Sequence, residues 1–322
     1  HGYIVFSVQH TYDSSDTVFP SGDVAPADPA LAEMAEPEGE ADKAAQAAQR
    51  AAISGATLDE RLEGYLRLRE LALAGTSDRL LKSGEIWSDD RIFVHDQLQR
   101  GAVPPAIREI AAAGDLTRVG EMGMSFGGAT SGTVCMRDRR CAAGINLDGG
   151  DFPFQAFAAE VPAPFLMFHS DLANIYKQLK APPPKTVRSF NEFSYESLAT
   201  MGARRDVYRV AVKGANHLGI SDFTLFMRRP ARDALFGTTP TRVMIGAQND
   251  FVMGFFDKHL RGIASDYPKA QLKRYDPWVK PVPVDEVRAW WAGKSEADRA
   301  AISARIERAR AAPGVSAPQS RR

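Results

Sequence analysis

Arg118-Val119-Gly120-Glu121-Met122-Gly123-Met124-Ser125-Phe126-Gly127-Gly128-Ala129 decides the reading of this chain. Its first seven residues read as a strand, and Ala129 to Arg137 suit a helix. Between them, Gly123-Met124-Ser125-Phe126-Gly127 fits G-x-S-x-G in the strand–turn–helix setting that this motif requires. A strand that turns sharply into a helix holds its middle residue under strain, and only small flanking residues escape a clash with it. Gly123, Gly127 and Gly128 supply those small residues. Ser125 Oγ then projects above the carboxyl end of a sheet, and the N–H of Phe126 at the helix N-terminus faces a developing oxyanion. The plainer reading is an ordinary serine in a glycine-rich turn; the setting favours a nucleophile.

A nucleophilic serine needs a base and an acid, and in this architecture they follow in the order Ser, acid, His. His169, His217 and His259 come after Ser125. His169 ends an apolar strand and reads as a core or rim residue, and His259 reads as a helix-surface residue. His217, in Gly214-Ala215-Asn216-His217-Leu218-Gly219 just beyond a strand, is placed to reach Ser125 and is favoured over a structural loop histidine. His10 follows the first apolar run and is the lesser alternative, lining the same sheet edge. The acids between Ser125 and His217 are Asp138, Asp148, Asp151, Glu160, Asp171, Glu192, Glu196 and Asp206. Asp148 and Asp171 stand at strand ends. Gly149 and Gly150 after Asp148 let the backbone turn close to the site, which favours it over Asp171. Either could instead be a solvated carboxylate capping a loop.

Around this centre the chain alternates strands and helices. Ile4–Val8, Ala143–Leu147, Ala163–His169 and Val207–Val212 read as further strands. Thr57–Gly75, with Thr57 and Glu60 as a capping box, and Asp90–Gly101 read as helices, and another ends near Leu260. Strands spaced by helices predict a mainly parallel sheet covered on both faces. The 322 residues suit one enlarged α/β domain or two domains. With 40 Lys plus Arg against 40 Asp plus Glu, the zero net charge argues against a nucleic-acid partner. No apolar run reaches the ~18 residues of a membrane span. The 2 cysteines, Cys135 and Cys141, exclude a disulfide scaffold and an all-cysteine zinc cluster, and are read as free thiols. From Tyr12 to Asp42 stand nine acids without a Lys or Arg, a stretch read as a mobile, solvated surface excursion rather than a docking or metal-binding loop. Pro277-Trp278-Val279-Lys280-Pro281-Val282-Pro283 reads as an extended linker. Ser295 and Asp298 then cap a polar helix to about Arg310, and the last residues read as frayed.

Gly123–Thr130, then Gly144-Ile145-Asn146-Leu147-Asp148-Gly149 with Phe152-Pro153, resembles the plasma-type platelet-activating-factor acetylhydrolase family. Pro164–Met167, His217 with Asp222-Phe223, and Phe255–Gly262 resemble it more loosely; the likeness spans roughly residues 2–262. It implies an α/β-hydrolase fold and raises Asp148 over Asp171. It also implies calcium-independent hydrolysis of a carboxylic ester, with a short acyl chain on a lipid or lipid-like substrate. The expected machinery is Ser125, His217 and Asp148, with the Phe126 N–H as oxyanion donor and neither metal nor organic cofactor. Phe152, Phe154 and Phe223-Thr224-Leu225-Phe226 are candidates for the acyl pocket, though aromatic runs more often form core. The expected organisation is a hydrolase domain over 1–276, holding an acidic insertion at about 12–50, and a Pro-led linker and helical tail over 277–322. The resemblance leans toward an exported protein. It also places the first strands and a second oxyanion donor upstream of residue 1, as in a processed product or fragment that opens on His1. The rival from another class is a truncated, non-catalytic hydrolase fold acting as a binding module.

Overall fold

The computed structural model describes residues 1–29, 40–76, 78–151, 154–178 and 187–310. A two-stranded hairpin, β1 (Thr17–Val18) and β2 (Val24–Ala25), comes first. Helices α1 (Glu40–Ser54), α2 (Leu58–Leu71), α3 (Asp78–Gln99) and α4 (Arg108–Ala112) lead to the main sheet. That sheet has five strands in the order β3 (Val119–Met124), β4 (Cys141–Leu147), β5 (Phe165–His169), β6 (Val207–Val212) and β7 (Val279–Pro281). The first four run parallel, and β7 pairs antiparallel with β6. Helix α5 (Phe126–Arg137) follows β3 and α6 (Leu172–Gln178) follows β5. Helices α7 (Ala231–Phe236), α8 (Thr241–His259) and α9 (Lys269–Arg274) lie between β6 and β7. Helices α10 (Asp285–Ala292) and α11 (Glu296–Arg310) follow β7.

Period-2 alternation sorts the strand side chains onto two cores. Ala143, Ile145 and Leu147 of β4, with Leu166 and Phe168 of β5, pack on one face with Phe251 and Phe255 of α8. Phe165, Met167 and Val207 point the other way, toward Cys135 of α5 and Tyr195. Every residue of β5 is buried, as expected of a central parallel strand covered on both sides. A third core joins Leu58, Leu62 and Leu66 of α2 to Phe157 and Phe193 and to Ile306 and Ala309 of α11. Thr57 caps α2 as read: its hydroxyl accepts the Glu60 N–H at 3.2 Å, and the Glu60 carboxylate accepts the Thr57 N–H at 3.4 Å.

Several elements depart from the sequence reading. Ile4–Val8 forms no strand; no strand among the described residues pairs with it, and Ile4 and Val5 are exposed. Tyr3 anchors the segment instead, donating to Asp257 Oδ1 at 2.8 Å and packing on Phe256. Of Asp90–Gly101, residues 90–99 are the second half of the longer α3, and Arg100 and Gly101 form the turn after it. Its inner face carries Trp87, Arg91 and His95 at helical spacing, so an aliphatic pattern does not reveal it. Part of the acidic excursion is tied down: Trp87 Nε1 donates to the buried Asp13 carboxylate at 3.0 Å, and Asp16 accepts the Ala27 N–H at 2.8 Å. Glu33, Glu36 and Glu38 of that stretch lie outside the described residues, as do Phe152, Pro153 and the last residues of the chain. Of the Pro-rich stretch, Pro277 and Trp278 lie in a turn closed by the Trp278 N–H on the Tyr275 carbonyl, and Val279–Pro281 is extended and hydrogen-bonds into the sheet as β7. Helix α11 returns to α2, where Arg305 meets Glu63 and Glu70. Cys135 and Cys141, read as free thiols, form a disulfide with Cα atoms 5.0 Å apart. The turn from α5 to β4, closed by the Cys141 N–H on the Asp138 carbonyl, brings the end of the helix beside the start of the strand.

Beneath α5 lies a buried charged ladder. Arg91 meets Glu121 at 3.2 Å, and His95 meets Glu121 at 2.8 Å and Asp138 at 3.2 Å. Burial alone would lower the His95 pKa, but hydrogen bonds to Asp138 and Glu121 raise it to about 9. A group raised above its unfolded value adds stability that is fully present below that value and is lost as pH rises through the folded one. The contribution is complete below pH ~6.5 and drains away through pH ~9, up to about 3 kcal/mol at ~1.4 kcal/mol per unit. Urea melts at pH 6 and pH 10 should show this loss, and His95→Gln should flatten it. Equal alkaline losses in both proteins would refute the assignment.

Candidate active site

The aligned strand ends build the site. Met124 of β3 pairs with Leu147 of β4, and Leu147 with Phe168 of β5. The next residues, Ser125, Asp148 and His169, therefore emerge side by side at the carboxyl edge of the sheet. Ser125 sits at φ 55°, ψ −123°, where L side chains are strained, on the turn from β3 into α5. Its N–H donates to the Leu147 carbonyl at 2.8 Å, and its own carbonyl accepts the Gly128 N–H at 2.9 Å. Glycine is required by close approach here: a Cβ on Gly123 would stand 2.3 Å from the Gly127 backbone, and one on Gly149 would stand 2.0 Å from the Ser125 carbonyl oxygen. Phe126 is the first residue of α5, so its N–H lies at the positive end of the helix, beside Ser125.

His217 opens a short 3-10 turn beyond β6. Its Nε2 is 2.9 Å from Ser125 Oγ and its Nδ1 is 2.8 Å from Asp148 Oδ2. The hydrogen bond to Asp148 raises its pKa above the ordinary histidine value, with partial burial pulling the other way. Asp148 is buried. Burial by itself would raise the Asp148 carboxyl, but the His169 and His217 rings and the Ser170 side chain bring it below the usual carboxylate range; Oδ1 also accepts the Ser170 N–H at 2.8 Å.

The rejected candidates have other work. Asp171 braces the His217 loop, accepting the Gly214 N–H at 2.7 Å while its own N–H donates to the Ala215 carbonyl at 2.9 Å. Glu192 pairs with Arg61, Glu196 with Arg209, Asp206 with Arg204, and Asp138 with His95 and Arg140. Glu160 accepts from Thr200, and Asp151 from Ser194 at 3.1 Å. His10 is buried, stacked 4.0 Å from Trp87 and 2.9 Å from Asp90; through Trp87, which meets the Phe126 ring edge-on, it backs the site without entering the relay. His259 is not a plain surface residue. It packs on Phe255 and lies 3.2 Å from Tyr208 Oη, and burial, then Lys258, lower its pKa to about 4. Phe154 is core, stacked on Phe157, whereas Phe223, Leu225 and Phe226 are exposed.

Sequence reasoning passed over Asn146. Its amide accepts the Gly149 N–H at 2.7 Å and donates to the Gly149 carbonyl and to Tyr195 Oη, which pins the turn that carries Asp148. A buried Asn inside an apolar strand was the available signal. Among the described residues, no group of three or more His, Cys, Asp or Glu side chains is placed to hold a metal ion. No helix there is long and apolar enough to cross a membrane.

A largely parallel sheet covered by helices, with a strained serine between the strand and helix of a G-x-S-x-G turn, defines an α/β-hydrolase fold. The family model of platelet-activating factor acetylhydrolase, isoform II, matches residues 107–273, just over half the chain, and the chain belongs to that family. Among solved structures it is similar to a ferulic acid esterase from Streptomyces cinnamoneus, at 20% identity and a TM-score of 0.48. That match covers 85% of this chain and 64% of the esterase chain.

Proposed function

We propose that this chain is a serine hydrolase of carboxylic esters, and that its substrates carry a short acyl chain on a lipid or lipid-like group. The observation that carries the reading is the unbroken relay from Ser125 Oγ through His217 to Asp148, at 2.9 Å and 2.8 Å. His217, held by Asp148, takes the Ser125 proton, and Ser125 Oγ attacks the ester carbonyl. The Phe126 N–H stabilises the oxyanion of the tetrahedral intermediate. The intermediate collapses, His217 gives its proton to the leaving alcohol, and an acyl-enzyme remains. Water, activated by the same histidine, then releases the acid. Family membership supports the ester and the short acyl chain. The exposed Leu218, Phe223, Leu225 and Phe226 that follow His217 in the chain support an apolar substrate.

A fluorophosphonate probe should label Ser125 in the folded chain, and p-nitrophenyl acetate should turn over faster than the long-chain p-nitrophenyl esters. Absence of labelling would favour a non-catalytic binding protein. A rate that climbs with acyl length would remove the short-acyl part alone.

A base must be unprotonated to work, and the His217 pKa is raised. The plot of kcat/KM against pH should therefore fall on its acid side with a midpoint above the ordinary ~6.5 of histidine. Asp148→Asn removes the hydrogen bond that raises it and should move what remains of that limb to lower pH. A wild-type midpoint at or below ~6.5 contradicts the coupling.

A further inference from the structure

We propose that His169 is a positioning residue for the carboxylate of the relay, presenting Nδ1–H to the Asp148 oxygen that His217 does not use. The inference deepens the proposed function and rests on that reading of Ser125, His217 and Asp148. Register puts the two side chains together: Leu147 pairs with Phe168, so Asp148 and His169 leave adjacent parallel strands at one level. Both are buried, His169 almost completely. Asp148 Oδ2 meets His217 Nδ1, while Oδ1 accepts only the Ser170 N–H among the hydrogen bonds of the described residues. A carboxylate oxygen has two lone pairs, so Oδ1 retains one. His169 Nδ1 stands 3.8 Å from it and has no hydrogen-bond partner among the described residues.

The tautomer follows from the other side of the ring. His169 Nε2 lies 3.2 Å from Ser189 Oγ. Ser189 Oγ accepts the Asn191 N–H at 3.0 Å, and its own hydrogen has no other acceptor among the hydrogen bonds of the described residues, so donating it to Nε2 satisfies both groups. Nε2 is then the acceptor, and the ring proton sits on Nδ1, toward Asp148. At 3.8 Å this is a directed dipole rather than a hydrogen bond, and a buried site screens it little. The Phe190 ring meets the imidazole edge-on, and behind Ser189 lies the buried Arg61–Glu192 pair, with Arg61 donating to the Ser189 carbonyl at 3.3 Å. The arrangement keeps Asp148 ionised and aimed while it holds His217, and it tempers the pull of the carboxylate on the His217 proton.

The test is a titration of His217 by NMR in the full chain, beside kcat and KM, in wild type, His169→Leu, His169→Gln and Ser189→Ala. Loss of the Nδ1–H leaves the Asp148 charge less balanced and holds the His217 proton more tightly. In His169→Leu the His217 midpoint should rise by roughly half a unit to one unit. At pH 7 kcat should fall by up to about tenfold with KM within twofold, since His169 does not reach the surface. His169→Gln keeps a side-chain N–H donor and should recover most of both. Ser189→Ala, which frees the tautomer, should move His217 the same way by less, and it carries the test if His169→Leu does not fold. An unmoved His217 midpoint in the folded variants, whatever their stability, overturns the proposal. The titration needs no turnover, so failure of fluorophosphonate labelling with a shifted midpoint would instead sink the esterase reading.

Discussion

Ser125→Ala should lower kcat/KM on a short-chain p-nitrophenyl ester by on the order of 10⁴- to 10⁶-fold and should abolish fluorophosphonate labelling. His217→Ala should cost about as much, and the double variant Ser125→Ala/His217→Ala no more than either. That non-additivity is the signature of two groups acting on one proton. The geometry makes it specific: His217 Nε2 has Ser125 Oγ at 2.9 Å, and with either atom gone the other has no partner in the chemistry. Asp148→Asn should retain the fold and lose about 10⁴-fold, because an amide cannot hold the imidazole in the right tautomer and stabilise its charged form as a carboxylate does. Ser125→Ala should not unfold the protein; it removes one hydroxyl and relieves nothing in the backbone, whose strain at φ 55° is held by the Leu147 and Gly128 hydrogen bonds. Full activity in Ser125→Ala, or single losses that multiply in the double variant, would overturn the relay.

The residues of this relay were legible in the sequence because each has a local signature. Gly123 and Gly128 stand where a sharp strand-to-helix turn leaves no room for a Cβ; chain order and strand ends narrow the partners to His217 and to Asp148 or Asp171, and the glycines after Asp148 and the family resemblance favour Asp148. Short apolar runs gave β4, β5 and β6 nearly residue for residue, since parallel strands covered on both faces leave little polar residue pattern to confuse. What the sequence hid is whatever depends on pairing across the chain. Ile4–Val8 has the composition of a strand, but composition cannot supply a hydrogen-bonding neighbour. Helix α3 buries Arg91 and half-buries Trp87 and His95, all of which hydropathy scores as surface. The Cys135–Cys141 disulfide depended on how tightly the turn after α5 reverses, and Asp171 on which loop its carboxylate caps. His169 reads as a core or rim residue, and its burial places it in the core, but its nearness to Asp148 follows only from the register of β4 against β5.

Glu196→Ala should destabilise the protein by about 3–5 kcal/mol. Arg209 lies mid-strand in β6, paired in register with Met167 of β5 and side by side with the apolar residues Phe165, Met167 and Val207. Both Arg209 and Glu196 are buried, and burial lowers the Arg209 pKa, opposed by Glu196. The guanidinium pairs with the Glu196 carboxylate and donates to the Ser194 carbonyl at 3.1 Å, and Glu196 also accepts the Arg204 N–H at 3.2 Å. This holds the 194–204 segment onto the sheet face that carries the second core. Removing the acid leaves an unpaired cation where water cannot reach it. Replacing both, as Arg209→Leu/Glu196→Met, removes the desolvation cost together with the attraction, so the double variant should recover most of the loss and can equal wild type. Urea denaturation of Arg209→Leu, Glu196→Met and the double variant gives the coupling directly. Additive losses would mean that the pair does not act as a unit, and a loss below about 1 kcal/mol for Glu196→Ala would mean that the charge finds water or another partner. Because β6 leads directly into the loop that carries His217, fluorophosphonate labelling of Glu196→Ala should fail over the same urea range in which the fold melts, not before it.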